Sequence, residues 1–390
     1  MSIASRPLTH DDEPQALYIH WPFCVSKCPY CDFNSHVRDQ VDVPAWEAAL
    51  LADMAHEAGL TGKRALSSIF FGGGTPSLMP PALVETLIGA AERLWGFSPD
   101  IEITLEANPN SVEAARFADL AAAGVNRVSL GLQALDNDAL HFLGRAHDVD
   151  EGLAALDTAQ GAFVRVSFDL IYARPGQSEA DWEAELARAL AFGTGHLSLY
   201  QLTIEPGTRF ATLVAQGKLT PADPDHGATL SELTQAMTGA AGIPAYEISN
   251  HARAGEQSRH NLTYWRYGDY AGIGPGAHGR RGGLATLRHR KPENWLNGID
   301  RNGHGIQSEE PLSAIDLARE ALLMGLRLHE GVDLTRIAKA SGIASDRLLD
   351  RAAVERLAGM GFIVRSGERV RATAAGMLLL DAILPDIVAI

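Results

Sequence analysis

Three cysteines constrain this chain more than any other feature. They are Cys24, Cys28 and Cys31, inside Cys24-Val-Ser-Lys-Cys28-Pro-Tyr-Cys31, and the chain has no others. No thiol is left to make a disulfide elsewhere, which fits a reducing compartment. Three thiols in one short loop read as a metal site. A C-x3-C-x2-C loop that follows a strand wraps a cubane, so that three thiolates meet three irons of a [4Fe–4S] cluster. The alternative is a Cys3His zinc site with His20 or His36 as fourth ligand. Zinc sites more often take two ligand pairs a dozen or more residues apart, and here the ligands are bunched.

A cubane on three cysteines leaves its fourth iron without a protein thiolate. An open iron accepts a chelating ligand, and the amino and carboxylate groups of S-adenosylmethionine (SAM) suit it. One electron from the cluster then cleaves a carbon–sulfur bond in SAM and yields a 5′-deoxyadenosyl radical. One strand–helix unit later stands Phe71-Gly72-Gly73-Gly74-Thr75-Pro76. Glycines let backbone N–H groups approach a charged ligand closely, here the methionine end of SAM. A plain turn is the other reading of such a run.

The 390 residues exceed one small core and point to two units or one long α/β barrel. Short apolar or β-branched runs predict strands over Leu17–His20, Ser68–Phe71, Ile101–Glu106, Arg127–Gly131, Arg165–Ile171 and His196–Leu202. Amphipathic helices are expected between them, among them Pro44–Ala58, Pro81–Leu94 and Glu179–Ala191. Six such units predict an α/β fold, an incomplete (β/α)6-type barrel with its chemistry at the C-terminal strand ends.

The expected division is an N-terminal tail over 1–16, a barrel core over 17–205, a loop-rich extension over 206–310 and a small domain over 311–390. Helices are expected over Ser313–Leu328, Leu334–Ala340 and Ser345–Gly359, then a hairpin, Gly361–Arg365 and Arg369–Ala372, around Ser366-Gly367. That pattern looks like a winged-helix-type α+β domain, which either packs as a lid or binds DNA. Residues 311–390 carry ten acidic and ten basic side chains, and the whole chain has a formal net charge of −15. Nucleic acid is therefore not expected as a partner. No run approaches the apolar length of a membrane span, and the first residues, MSIASRPLTHDDEP, hold no apolar leader. A cytoplasmic location is expected.

Several segments together resemble one family, the oxygen-independent coproporphyrinogen oxidases and their relatives, which are radical SAM proteins. They are Tyr18-Ile-His-Trp-Pro-Phe-Cys24, the Phe71–Pro76 run, Glu102-Ile-Thr-Leu-Glu106-Ala-Asn-Pro, Val128-Ser-Leu-Gly-Leu-Gln133, Leu143-Gly-Arg145, Asp169-Leu-Ile-Tyr and Ser198-Leu-Tyr-Gln201. The resemblance runs from about Leu17 to the C-terminus. It implies that Tyr18 and Tyr30 flank the sulfonium and adenine of SAM. It also implies that Gly73, Gly74 and Thr75 hold the amino-acid end and that Glu106 binds a ribose or amino group. Gln133, Arg145, Asp169 and Gln201 match positions that surround a second SAM in the oxidases.

Within the family the chain looks like the HemW branch, implicated in heme trafficking rather than decarboxylation. Phe33 stands where the oxidases carry a further cysteine, and only a short stretch precedes Tyr18. Tyr246-Glu-Ile-Ser-Asn250, Ser258–Trp265 and Gly272–Gly279 also look like that branch. One departure is Ala173-Arg174-Pro175, where many relatives have Gly-Leu-Pro, which puts a charge near the Asp169 strand end. His260-Asn-Leu-Thr-Tyr264-Trp265 matches the branch's HNxxYW motif. The resemblance implies heme as a cofactor, a heme-accepting protein and an electron donor as partners, with His260 as a candidate axial ligand and Tyr264 and Trp265 against the macrocycle. Arg280, Arg281, Arg288, Arg290 and Lys291 follow and are candidates for pairing with propionates. By composition alone a lone loop histidine is more often held by a backbone carbonyl, and the arginines more often line a solvated loop.

Overall fold

The computed structural model describes residues 15–38 and 40–390; most of the expected tail lies outside them. Six parallel strands form the centre: β1 (Gln15–Trp21), β2 (Leu66–Gly73), β3 (Phe97–Ala107), β4 (Arg127–Gln133), β5 (Arg165–Tyr172) and β6 (His196–Gln201). Each alternates in side-chain character. Leu17 and Ile19, Ile69 and Phe71, Ile103 and Leu105, Val128 and Leu130, Phe168 and Leu170, and Leu197 and Leu199 face outward and are buried under the surrounding helices. The intervening positions face inward and are mostly polar: Tyr18, Glu106, Arg127, Ser129, Asp169, Ser198 and Tyr200 line one interior cavity with Phe70. Parallel strands covered on both faces usually read as continuous apolar runs. Here one face lines a cavity, so the period of two survives.

The barrel helices named from the sequence form where predicted, with ends set by local chemistry. The first is Val43–Thr61, capped by Asp42, whose side chain accepts from Ala45 N–H. Glu179–Ala191 starts at a capping box between Ser178 and Asp181.

The stretch expected to be loop-rich is instead built. It adds β7 (Asn250–Ala252), β8 (Tyr270–Ile273), β9 (His278–Arg281), β10 (Leu284–Arg288) and β11 (Ile306–Pro311). They extend the barrel sheet to eleven strands in the order β11-β10-β9-β8-β1-β2-β3-β4-β5-β6-β7, with β8 parallel to β1. The terminal strands of this order do not pair, so the sheet is open. Four helices, Arg209–Ala215, Pro224–Ala240, Arg259–Trp265 and Pro292–Asn302, fall in the same stretch.

The C-terminal region has its own core around Leu322, Leu348, Val370 and Ile387. Its three-stranded sheet, Val332–Asp333, Arg369–Ala372 and Ile363–Ser366, stands with five helices. The hairpin is present, one residue from its expected turn, at Gly367-Glu368. The helix expected over Ser345–Gly359 is split. Asp350 caps a shorter helix, Arg351–Gly359, by accepting from Ala353 N–H, and a 3-10 turn holds Ser345–Arg347.

Candidate functional site

The cysteine loop leaves the C-terminal end of β1. Cys24, Cys28 and Cys31 are free thiols, each partly buried. Each sulfur has a polar side chain beside it. Thr75 Oγ1 donates to Cys24 Sγ at 3.4 Å, Arg145 Nη1 to Cys28 Sγ at 3.4 Å, and Ser35 Oγ lies 4.0 Å from Cys31 Sγ. Donors of this kind stabilise cluster sulfur ligands and set their potential. Two of them are joined. Asn108 Nδ2 donates to Thr75 Oγ1 at 3.1 Å, and Arg145 Nη2 donates to Asn108 Oδ1 at 2.6 Å. A continuous arc, Cys24–Thr75–Asn108–Arg145–Cys28, thus spans the strand ends. Asn108 falls in a segment that carries the family resemblance, but the sequence assigns it no role.

His20 is committed elsewhere. Its Nε2 donates to Asn34 O at 2.9 Å, which leaves Nδ1 to accept from Tyr18 O–H at 2.8 Å. Burial pushes its pKa down to about 4, so the ring is neutral. Among the described residues no group of three or more His, Cys, Asp or Glu side chains is gathered to hold a single metal ion. A zinc site using His20 would have to break one of its two hydrogen bonds.

The glycine run is tighter than ligand access alone requires. Gly73 has φ +114°, and a Cβ there would lie 2.6 Å from the His20 ring. A Cβ on Gly74 would lie 2.6 Å from Phe23 O, on the strand leading into Cys24. These glycines let β1 and β2 end against each other, whatever else they admit. Any larger side chain there would also move the cysteine loop.

The carboxyls behind the run are strongly perturbed. Glu106 Oε2 accepts from Gly73 N–H at 3.3 Å. Burial, then the neighbouring Asp169, raises its pKa to about 8. Burial raises Asp169 to about 6, opposed by hydrogen bonds from Ser198 and Ser129 and by the charges of Arg127 and Arg145. Such groups in a cavity are candidates for binding a ligand. Tyr30 sits beside Arg145 and packs on Phe210, and burial raises its hydroxyl's pKa. Gln133 adopts φ 69°, a strained value for a residue with a Cβ, and its amide folds back beside Arg145 over Gly131. Gln201 is a correction. By strand parity it faces outward, and its amide lies against Gly227 of the helix Pro224–Ala240; Tyr200 takes the inward place. The charge expected near the Asp169 strand end is neutralised, since Arg174 Nη2 meets Glu185 Oε2 at 2.6 Å. Ala173 holds φ 55°, which explains why glycine suits this position.

The HNxxYW segment reaches the same cavity from another element. Its helix, Arg259–Trp265, packs against β1 and β2. Glu102 fixes it there, accepting from Ser258 Oγ, Arg259 N–H and His260 N–H at 3.3, 3.0 and 3.4 Å while pairing with Arg165 at 2.6 Å. His260 points up into the barrel and stacks on Phe70, ring centroids 4.8 Å apart. It is 7 % exposed, and burial and Arg127 push its pKa down to about 3. The cavity it reaches holds about 210 Å3, below the size of a drug-like ligand site, so a macrocycle does not fit there. His260 therefore does not stand open as an axial ligand in this conformation. Tyr264 lines the same cavity, whereas Trp265 faces a separate cleft.

The propionate reading also changes for the arginines. Arg288 is fully buried against Asp53 and Glu57, at 3.3 and 2.6 Å. Arg281 pairs with Glu57 at 2.8 Å and with Glu309. Arg280 lies 3.5 Å over the Tyr267 ring.

A partial barrel with three cysteines on the loop after its first strand defines a radical SAM protein, and the radical SAM superfamily model matches residues 18–189. A HemN C-terminal domain model matches residues 312–379. Heme chaperone HemW of Escherichia coli is 36% identical over 95% of this chain and 97% of that protein. Mitochondrial radical S-adenosyl methionine domain-containing protein 1 of Bos taurus is 42% identical over 81% of this chain and 74% of that protein. The structure of E. coli coproporphyrinogen III oxidase (HemN) superposes with TM-score 0.81 at 23% identity, covering 97% of this chain and 91% of that one. The chain belongs to the HemW family of radical SAM proteins. Superfamily membership implies a [4Fe–4S] cluster and SAM.

Proposed function

We propose that this protein is a heme chaperone whose cluster sits on Cys24, Cys28 and Cys31, with SAM at the strand ends beside Glu106 and Asp169. Bound there, the pair would supply reductive cleavage of SAM. The chain's own residues would orient it: the strand ends of β1 and β2 and Thr75 toward the amino-acid end, Glu106 toward a cationic or hydroxyl group, Tyr18 and Tyr30 along the sides. Gln133, Arg145 and Asp169 stand ready for further polar contacts.

One observation carries the chaperone reading over the oxidase one. Trp265, at the end of the HNLTYW helix, faces a cleft separate from the inner cavity that Glu106 and Asp169 line. Heme held on the Trp265 side would lie outside the cavity given to SAM, which suits carriage rather than hydrogen abstraction. Phe33 agrees, since it is exposed at the position where the oxidases carry a cysteine. An acceptor protein and an electron donor follow as partners. No helix of the described residues is long and apolar enough to cross a membrane.

The test is direct. Anaerobically reconstituted protein, given SAM, a reductant and coproporphyrinogen III, should yield no protoporphyrinogen over multiple turnovers. The same preparation should bind hemin at about one per chain and lose it to an apo-hemoprotein. Sustained decarboxylation would restore the oxidase reading.

Glu106 provides a test of the SAM site. A neighbouring ammonium or sulfonium favours its ionised form, so binding must first remove a proton held up to about pH 8. SAM affinity should thus rise with pH between 6 and 8, approaching about tenfold per unit. Glu106→Gln should flatten that slope in calorimetric titrations of cluster-loaded protein. Equal slopes in both proteins would remove Glu106 from the site.

A further inference from the structure

We infer that a flat, carboxylate-bearing tetrapyrrole docks in the cleft between the sheet extension and the C-terminal region, with its anionic edge on Lys339, Arg369 and Arg280. This rests on the heme reading above and gives it a place other than His260.

The cleft holds about 850 Å3, within the range of cofactor and drug-sized sites and about four times the inner cavity. Trp265 and Tyr267 line one side, and Leu312, Leu317 and Leu328 supply apolar wall. A large planar ring needs such a surface. Trp265 Nε1 and Arg280 Nε are buried donors without acceptors, which is costly and unusual in a finished interior. Tyr267 holds φ 60° in this wall, a strained conformation that fixed sites tend to retain.

Charge selects the ligand's sign. The three carboxylates that line the cleft are already engaged. Asp269 pairs with Arg64 at 3.0 Å, Glu330 with Arg266 at 2.7 Å, and Asp333 caps the helix Leu334–Ser341 by accepting from Thr335 N–H at 2.9 Å. Lys339, Arg369 and Arg280 line the same cleft and make no ion pair among the described residues. Arg369 donates to Glu330 O at 3.2 Å and its charge also acts on the Glu330 carboxylate, which Arg266 already pairs, and Arg280 reaches Gly268 O at 2.8 Å. A chain of net charge −15 thus keeps unpaired cations around an aromatic-walled hollow. The complement is a planar apolar body with at least two carboxylates. Heme has that form through its propionates, and recognition here needs no iron ligand.

Hemin and hemin dimethyl ester, whose propionates are blocked, distinguish the contributions. Full-length protein should bind hemin about tenfold or more tightly than the ester. The double variant Lys339→Glu/Arg369→Glu should weaken hemin by at least that factor and abolish the preference. Both side chains are exposed, and circular dichroism of the variant should match the parent. Iron-free protoporphyrin IX should compete with hemin. If the parent binds hemin but charge reversal leaves its affinity and the ester preference unchanged, the cleft is not the site, while the chaperone reading stands. Failure of protoporphyrin IX to compete would likewise overturn this mode of recognition. If the parent binds no hemin at all, both readings fall.

Discussion

Serine in place of Cys24, Cys28 or Cys31 is expected to leave anaerobically reconstituted protein with less than about a tenth of the roughly four irons and four sulfides a cubane requires. The loop offers no spare thiol, so a lost ligand has no substitute. His20 cannot stand in, because both of its ring nitrogens are engaged by Tyr18 and Asn34. Asn108→Leu should behave differently. It keeps every cysteine but breaks the arc through which Thr75 and Arg145 are held against Cys24 and Cys28. Iron should still load, while the cluster's midpoint potential moves negative as hydrogen bonds to sulfur weaken. Iron and sulfide analysis with potentiometric electron paramagnetic resonance separates the two outcomes. One zinc per chain and no iron after anaerobic purification would refute the cluster assignment.

What the sequence made legible follows physical lines. The barrel strands alternate because one face meets helices and the other a polar cavity, and that period is local. Strands β1 to β6 could therefore be read from runs such as Leu17–His20 and Arg165–Ile171. The extension could not. His278-Gly-Arg-Arg281 and Ile306–Pro311 show no apolar alternation, and they become strands by pairing with an existing sheet edge. Their anchoring is long-range: Asp53 accepts from Gly274 N–H and Gly305 N–H, more than two hundred residues away. No local pattern carries such a contact.

The site shows the same division. The cysteine loop, Glu106 and Asp169 were marked by motif and strand end, and the fold brings them to one end of the barrel. Gln201 was misplaced by a single residue of parity, because Tyr200 and Gln201 both end β6 and only the pleat decides which faces inward. His260 was a candidate axial ligand through the resemblance of its motif to the HemW branch, with Tyr264 and Trp265 both expected against the macrocycle. Instead those aromatics divide, with Tyr264 toward the inner cavity and Trp265 toward the cleft, as helical spacing requires of neighbours. Asn108 and Glu102 stood in a quoted segment but were given no role, for a common reason. Each acts through partners distant in the chain, Arg145 and Arg165.

Arg288→Ala should destabilise the protein by about 3–5 kcal/mol, the usual cost of removing one partner from a buried ion pair. Its guanidinium is 0 % exposed and bonds Glu57 Oε2 at 2.6 Å, Asp53 Oδ2 at 3.3 Å and Thr286 Oγ1 at 3.4 Å. Asp53 also accepts from Trp295 Nε1 at 3.2 Å, and both carboxylates stand on the helix Val43–Thr61. The network thus ties a barrel helix to β8, β10 and the helix Pro292–Asn302. Without Arg288, Asp53 and Glu57 lose their shared buried partner, and Arg281 still pairs with Glu57. The loss is a large part of the roughly 5–15 kcal/mol that holds a typical domain together, so poor soluble yield and a lowered melting midpoint are expected. Glu57→Gln in the same chain should recover part of the loss, since it removes one of the carboxylates left without that partner. That recovery separates a structural ion pair from a propionate contact, which would make no coupling with Glu57. Hemin affinity of the fraction that remains folded should stay close to the parent's. A variant with normal stability and weakened hemin binding would return Arg288 to the ligand's side.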